Sequence, residues 1–413
     1  VKKYALGLLS ALAAVSIIVN FTGGVSVTCG GVNDTSALQS AITSAEFTGD
    51  EVLLPSMPCK FTAPLVVNER ISVRGVGYQY DGGKGYGGLS QVPAQWLTFN
   101  PIPSPLYGSI LLPGAHDAFQ ITTNRAVKLS GFQISYDQSA ASGSSLAAIR
   151  LSAAAGAHNF NAGSVFRDLT ITNADIGIEL TNAMEFRVDN VNVVYSWERG
   201  IVISSPNGPS WGDSYIEGST LWGQNIPGHQ CHICYYSGGG LRIINNKLNV
   251  GNGASGSGIF INPNLSPQQE TTEPLIITGN SIEGQAVGIN IANGNVAGAS
   301  ITEIVIGNNQ IWSGINAIRV NPNGTSKWFS GFTITGNALM VNGGMNKTVM
   351  VLDNAQIGVV AGNQFVLSGG GSGWGTNIGT NTSSINVQSN VYAPGIVPAV
   401  NAGTGNTIGG GSP

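Results

Sequence analysis

Asp175 and Glu198 each stand four residues before the same point of two successive short segments, Gly177-Ile-Glu-Leu180 and Gly200-Ile-Val-Ile203. If those segments are neighbouring strands, the two carboxyl groups stack one strand spacing apart, roughly 5 Å. Two carboxylates that close repel when both are ionised, so one is kept as an acid beside a base, the pairing that glycoside hydrolysis uses. Glu179, on the strand itself, and Asp213, further along, complete the acidic candidates. His229 is the neutral-pH base nearest to them, and Arg150 and Arg199 are cations able to neutralise a uronate, a set suited to taking the proton alpha to that carboxylate. The stretch from Trp197 to Tyr236 is rich in flat rings able to stack on sugar faces, with Trp197, Trp211, Trp222 and Tyr236 as binding candidates. Arg319 joins them at a later copy of the same segment. The plainer alternative is that Asp175 and Glu198 are solvated turn residues, Glu198 paired with Arg199, and that the Trp side chains pack over coil ends.

His229, Cys231, His232 and Cys234 have the residue types of a zinc site, but their spacing is compressed. Alternation in an extended strand sends Cys231 and Cys234 to opposite faces, so no metal is assigned, and a turn disulfide, or one buried and one exposed thiol, is expected. Single histidines at His116, beside Asp117, and His158 lie in turn-like contexts and receive no role.

The elements that must position these groups are set by an internal repeat. An apolar residue, any residue, a Gly, Asn or Asp (once Ser), two more, and a second apolar residue recur as Phe166…Ile171, Val188…Val193, Ile216…Leu221, Ile243…Leu248, Ile277…Ile282, Ile306…Ile311, Ile334…Leu339, Val360…Phe365 and Val387…Tyr392. Weaker copies begin at Val73 and Leu129. One position of the later copies is always Asn, at 246, 280, 309, 337, 363 and 390. Identical amides at one phase are expected to stack, with Asn taking the left-handed conformation at the bend and donating to the Asn of the next coil. A second strand, G-I-x-Φ, follows each motif, with the residue between its two apolar positions facing outward: Arg150, Glu179, Val202, Phe260, Asn290 and Arg319, and Cys234 between Val202 and Phe260. Such coils describe a parallel β-solenoid.

Composition agrees. Only 9% of residues are charged while 59 are Gly, and Asn outnumbers the 21 Asp and Glu, which excludes disorder and long helices. The 17 Lys and Arg are scattered and the net charge is −4, so there is no basic stripe for nucleic acid. Two lysines precede the apolar run from Ala5 to Val19, the shape of a secretory signal and shorter than a membrane span, and no later stretch reaches that length. Four cysteines suit an oxidising compartment, Cys29 with Cys59 being placed to pin the N-terminal segment to the first coil. An exported or cell-surface bacterial protein is therefore expected.

The recurring Φ-x-G-N-x-Φ followed by G-I-x-Φ resembles the pectin-lyase-like superfamily. Gly31-Val-Asn-Asp-Thr-Ser-Ala-Leu-Gln-Ser-Ala-Ile42 followed by Val52-Leu-Leu-Pro55 resembles the entry segment of its pectate-lyase-3 and glycosidase-28-related branch. The resemblance implies an all-β fold, a single-stranded right-handed parallel β-helix of about 10–12 coils with a short N-terminal capping helix. Asp34 reads as the N-cap of that helix and Leu38, Ala41 and Ile42 as its apolar face. The expected organisation is a signal over 1–24, a capping segment over 25–59, the β-helix over 60–393 and a Gly-rich tail over 394–413. It further implies that the G-I-x-Φ stack carries the substrate groove. The catalytic signatures of polygalacturonases fail here: Gly228-His229-Gln230 replaces G-H-G, no Asp-Asp pair exists, and Arg242-Ile243-Ile244 lacks the Lys. The expected partner is a polysaccharide that is bound and cleaved by a hydrolase or lyase, the alternative being a non-catalytic adhesin or tailspike-like rod. No cofactor is expected unless a lyase uses calcium, and trimerisation of the rod is left open.

Overall fold

The computed structural model describes residues 23–77, 108–137, 144–154, 160–205, 212–223, 229–250, 256–262, 274–292, 301–321 and 329–409. Residues 1–22 of the segment expected as a signal, His158 and Trp211 lie outside the described residues.

The described strands pair in parallel, each with the strand one coil away, so the chain winds a parallel β-helix. Three strands per coil recur. The pre-bend stack aligns Phe166 with Val188, Ile216, Ile243, Ile277, Ile306 and Ile334. The post-bend stack aligns Val193 with Leu221, Leu248, Ile282 and Ile311. The G-I-x-Φ stack aligns Ile149 with Ile178, Ile201, Ile233, Ile259, Ile289 and Ile318. These columns are almost wholly buried and form one continuous core. Each such side chain contributes roughly 1.5–3 kcal/mol by leaving water.

The pre- and post-bend strands meet at the Asn bend, which divides its two tasks between neighbouring residues. The left-handed conformation belongs to the residue before the ladder Asn: Asn245, Gly279, Asn308, Gly336, Gly362 and Ser389 all have φ between 54° and 70°. This corrects the expectation that one Asn does both. The ladder Asn keeps negative φ, and its carboxamide is fully used. Asn309 Oδ1 accepts from the backbone N–H and the Nδ2 of Asn280, at 3.0 and 2.9 Å. Its own Nδ2 donates to Asn337 Oδ1 at 2.9 Å and to the carbonyl of Ile277 at 3.0 Å. The pattern runs unbroken from Asn246 to Asn390, and Ser219 N–H begins it by donating to Asn246 Oδ1 at 2.9 Å.

The small residue of G-I-x-Φ has a different purpose. Ile176 pairs with Arg199 and Ile178 with Ile201, while Gly177 and Gly200 between them have no partner in the ladder and the register is unchanged. A Cβ on Gly200 would lie 2.4 Å from the carbonyl of His232, and one on Gly288 would lie 2.2 Å from Ile311 Cγ2. Alternation breaks at this corner, so residues three apart across it, such as Ile176 and Glu179, both lie outside the core.

The helix Thr35–Thr48 covers the first coil with Leu38, Ala41, Ile42 and Ala45. Asp34 stands at its N-cap but makes no side-chain bond to the helix. Its carboxylate instead accepts from the N–H groups of Gly30 (2.6 Å), Gly31 (3.2 Å) and Lys60 (2.9 Å), tying the entry loop to the first coil beside the Cys29–Cys59 disulfide. At the other end, Ile396–Asn401 and Thr407–Ile408 still pair with preceding coils, so solenoid continues into the segment expected as a tail.

Replacing Asn309 by Ala removes an acceptor from two Asn280 donors in a buried bend, and should cost on the order of 1–3 kcal/mol. Gln310→Ala, at the exposed neighbouring position, should cost under about 0.5 kcal/mol. Equal shifts in urea midpoint for the two variants would show that the ladder carries no particular stability.

Candidate functional site

The outer face of the G-I-x-Φ stack has the register expected from the repeat: Arg150, Glu179, Val202, Cys234, Phe260, Asn290 and Arg319 follow one another, one per coil. Its N-terminal part is a dense polar network. Arg150 donates to the buried carboxylate of Asp117 through Nε (2.7 Å) and Nη2 (3.2 Å), to the carbonyl of Ser145 (2.7 Å), and through Nη1 to Glu179. Asp117 also accepts from Ala147 N–H at 2.9 Å and Gln120 Nε2 at 3.2 Å. Its hydrogen bonds are the main reason that the Arg150 guanidinium is held even more firmly protonated than usual. Tyr136 closes the network from beneath, donating toward the carbonyls of His116 and Ala147, and burial raises its phenol far above the ordinary range.

Asp175 and Glu198 do occupy successive coils, for the N–H groups of Glu198 and Arg199 both bond to the Asp175 carbonyl. Their carboxylates turn to different neighbours. Asp175 is buried and accepts from Ser145 N–H at 2.6 Å, on the preceding coil. Glu198 is partly exposed and is held by Arg199 and by Gln230 Nε2 at 2.6 Å, on the following coil, while Arg199 Nε donates back to Gln230 at 3.0 Å. Glu179 and Glu198 are therefore the carboxylates of this face that reach solvent, with side chains 20% and 22% exposed.

Beyond them the face turns apolar. Val202, Cys231 and Cys234 join Ala147 and Ile176 in a small cluster separate from the main core, with Tyr236 and Phe260 packed against it, their rings 6.1 Å apart and edge-on. Cys231 and Cys234 form a disulfide. Both lie on the outer face because alternation breaks at the corner occupied by His232, which cancels the separation that was expected. Arg319 is half-buried, with no ion-pair partner among the described residues, and the column continues past it through Val351, Asn377 and Val400.

The remaining candidates lie elsewhere. Asp213 pairs with Arg242 at 2.9 Å on the pre-bend stack, where Arg187 and Arg242 flank the Tyr215 ring at 5.5 and 5.4 Å. Trp222 stands on the post-bend stack beside Tyr195. Trp197 packs against the main core with its indole N–H buried and unpaired. His229 is buried too, its ring filling the space above Gly223, and it meets His232 at 4.8 Å between ring centroids. His232 occupies the column where other coils have Gly or Ala. Neither ring makes a hydrogen bond of normal geometry, although the backbone of Asn249 approaches His232.

Asp117 was missed because its coil lacks a clear Asn motif. The signal was nonetheless present, for Ala118-Phe-Gln-Ile121 is a degenerate copy of Ala148-Ile-Arg-Leu151 and pairs with it in register. Among the described residues the one cluster of metal-ligating types, Cys29, Asp34 and Cys59, is used up by the disulfide and by backbone donors. Between Asp117 and Glu179 lies the guanidinium of Arg150.

No protein-family model matches this chain, and no curated protein matches it. Solved structures do. The mannuronan C-5 epimerase AlgE4 A-module of Azotobacter vinelandii is 12% identical over 92% of this chain and 97% of its own, with a TM-score of 0.53. DFA-IIIase from Arthrobacter chlorophenolicus A6, in complex with GF2, is 12% identical over 94% of each chain, with a TM-score of 0.52. A tailspike protein of Escherichia coli bacteriophage HK620 is 9% identical over 88% of this chain and 69% of its own, with a TM-score of 0.53. At these identities the likeness is one of fold: the solenoid is a right-handed parallel β-helix.

Burial pulls His229 down to about 4 and holds His232 well below 6.5, so both rings are neutral in the folded chain at pH 7. A group whose folded value is depressed binds its proton first in the unfolded chain, so stability should be lost as pH falls from about 6.5 toward 4. Urea midpoints measured across that window should fall less in the double variant His229→Leu, His232→Gly. An unchanged slope would assign acid sensitivity to other groups.

Proposed function

We propose that the outer face of the G-I-x-Φ stack binds a polysaccharide across successive coils and hydrolyses it, with Glu198 and Glu179 as acid and base. The observation that carries this reading is the placement of two solvent-reaching carboxylates on adjacent coils, each held by its own donors, beside an apolar and aromatic stretch. Buried Asp117 and the Ser145 carbonyl, whose residue Asp175 fixes, both hold Arg150, and Arg150 in turn holds Glu179, so the carboxylate stays oriented without substrate. In the reaction one carboxyl group gives its proton to the glycosidic oxygen as the bond to the anomeric carbon breaks, and the other takes a proton from the attacking water. Phe260 and Tyr236 offer ring surface to sugars. The reading is supported by the carbohydrate-acting proteins among those of like fold, a mannuronan C-5 epimerase and a DFA-IIIase. Two disulfides and the apolar N-terminal segment support export.

A second reading, a rod that binds glycan without cleaving it, is favoured by one observation. Glu179 and Glu198 are each paired with an arginine, and a carboxylate must leave that pairing to exchange a proton freely.

The two readings separate on a panel of neutral and acidic polysaccharides, scored for reducing ends and for unsaturated uronates. Glu198→Gln and Glu179→Gln should each lower turnover by about 100-fold or more while leaving the melting temperature within a few degrees. Binding without release of reducing ends by the unaltered protein would establish the binding rod. Unsaturated products would establish a lyase and remove the hydrolytic roles.

A further inference from the structure

The post-bend stack has an outward column that the groove does not use. Trp222 pairs with Asn249, Asn249 with Glu283, Glu283 with Trp312, and Trp312 with Met340, one residue per coil. Trp312 is 45% exposed, unusual for the largest apolar side chain on a well-ordered strand. It is also held in place: its indole N–H donates to Asn342 Oδ1 at 2.8 Å, so the ring is fixed before any ligand arrives. Trp222, half-buried, is supported by Tyr195, with ring centroids 6.4 Å apart. Three coil steps separate the two indoles, about 14 Å at the ~4.8 Å spacing of strands, and one step is close to the length of one pyranose ring.

We propose that this column is a second glycan-binding surface, on a different face from the groove, which takes a neutral, extended polysaccharide chain running along the solenoid axis and stacking on Trp222 and Trp312. The chemistry between the rings favours a sugar over a protein. Asn249 and Glu283 present hydrogen-bonding groups at the intervening coils, as Lys247, Ser281 and Gln310 do in the parallel column. A single line of rings interleaved with polar groups suits hydroxyl-rich ligands, whereas a stable protein interface needs a broader apolar patch. The fixed indole loses little freedom on binding. Such a surface would keep a long chain attached while the groove works on another stretch of it.

Native-gel affinity electrophoresis of the full chain, with hydroxyethylcellulose, xylan, alginate or polygalacturonate cast into the gel, tests this. The unaltered protein should be retarded by a neutral polymer. Trp312→Ala should weaken that retention roughly tenfold and Trp222→Ala by a similar factor, with Trp312→Phe intermediate because it keeps a stacking face. Asn342→Ala, which frees the indole, should weaken it less. Turnover of any short oligosaccharide cleaved in the groove should be unchanged by Trp312→Ala, so this result stands or falls separately from the roles of Glu179 and Glu198. The proposal is overturned if no neutral polymer retards the unaltered protein. It is equally overturned if Phe260→Ala abolishes retention while Trp312→Ala leaves it intact, or if Trp312→Ala changes only the sedimentation coefficient, which would make the column a contact between copies of the chain.

Discussion

A sharp bend between two buried strands leaves polar groups with no water to bond, and in this chain an identical group one coil away satisfies them. Over the coils from Ser219 to Asn390 that pairing holds the register at every bend. The Asn carboxamide has two donors and two lone pairs, and the ladder uses all four: two for the next coil's oxygen and the previous coil's carbonyl, two for the preceding Asn. A slip of one residue would leave donors and acceptors unpaired at every level, at roughly 1–3 kcal/mol each, so the coils are locked in phase although their lengths differ. With phase fixed at the bend, the columns of Ile, Val and Leu fall into line and the outward residues of the other stacks are determined.

Within that frame, the local exceptions are where chemistry gathers. The break in alternation within the G-I-x-Φ strand lets two columns, rather than one, face outward. It falls at a corner where Gly or Ala leaves no room for more. The coil of Cys231 breaks the rule with His232, and the disulfide spans that same corner, joining the residues on either side of it. The buried carboxylates Asp117 and Asp175 are the other exceptions. Asp117 accepts four hydrogen bonds and Asp175 accepts from Ser145 N–H, and Arg150, held by Asp117 and by the Ser145 carbonyl, orients Glu179.

Sequence alone determined the solenoid, the phase of its repeat, the Asn ladder and the order of residues along the outer face of the G-I-x-Φ stack, because each is a consequence of periodicity, and periodicity is written in the spacing of residue types. What spacing cannot show is how the count changes at an irregular point. Alternation placed Cys231 and Cys234 on opposite faces, and one break in alternation at His232 puts them together. Asp175 and Glu198 are adjacent in register, yet their carboxylates turn to different coils because Ser145 and Gln230 offer donors in opposite directions. Trp197, Trp222 and His229 lie within one stretch of sequence but are sent respectively to the core, to another face and to a buried pair, since a coil spreads contiguous residues around its whole circumference. Trp312, distant in sequence, lies in line with Trp222 for the same reason: in a stacked solenoid, neighbours in space are a coil apart in the chain, and only the tertiary structure decides which faces they share.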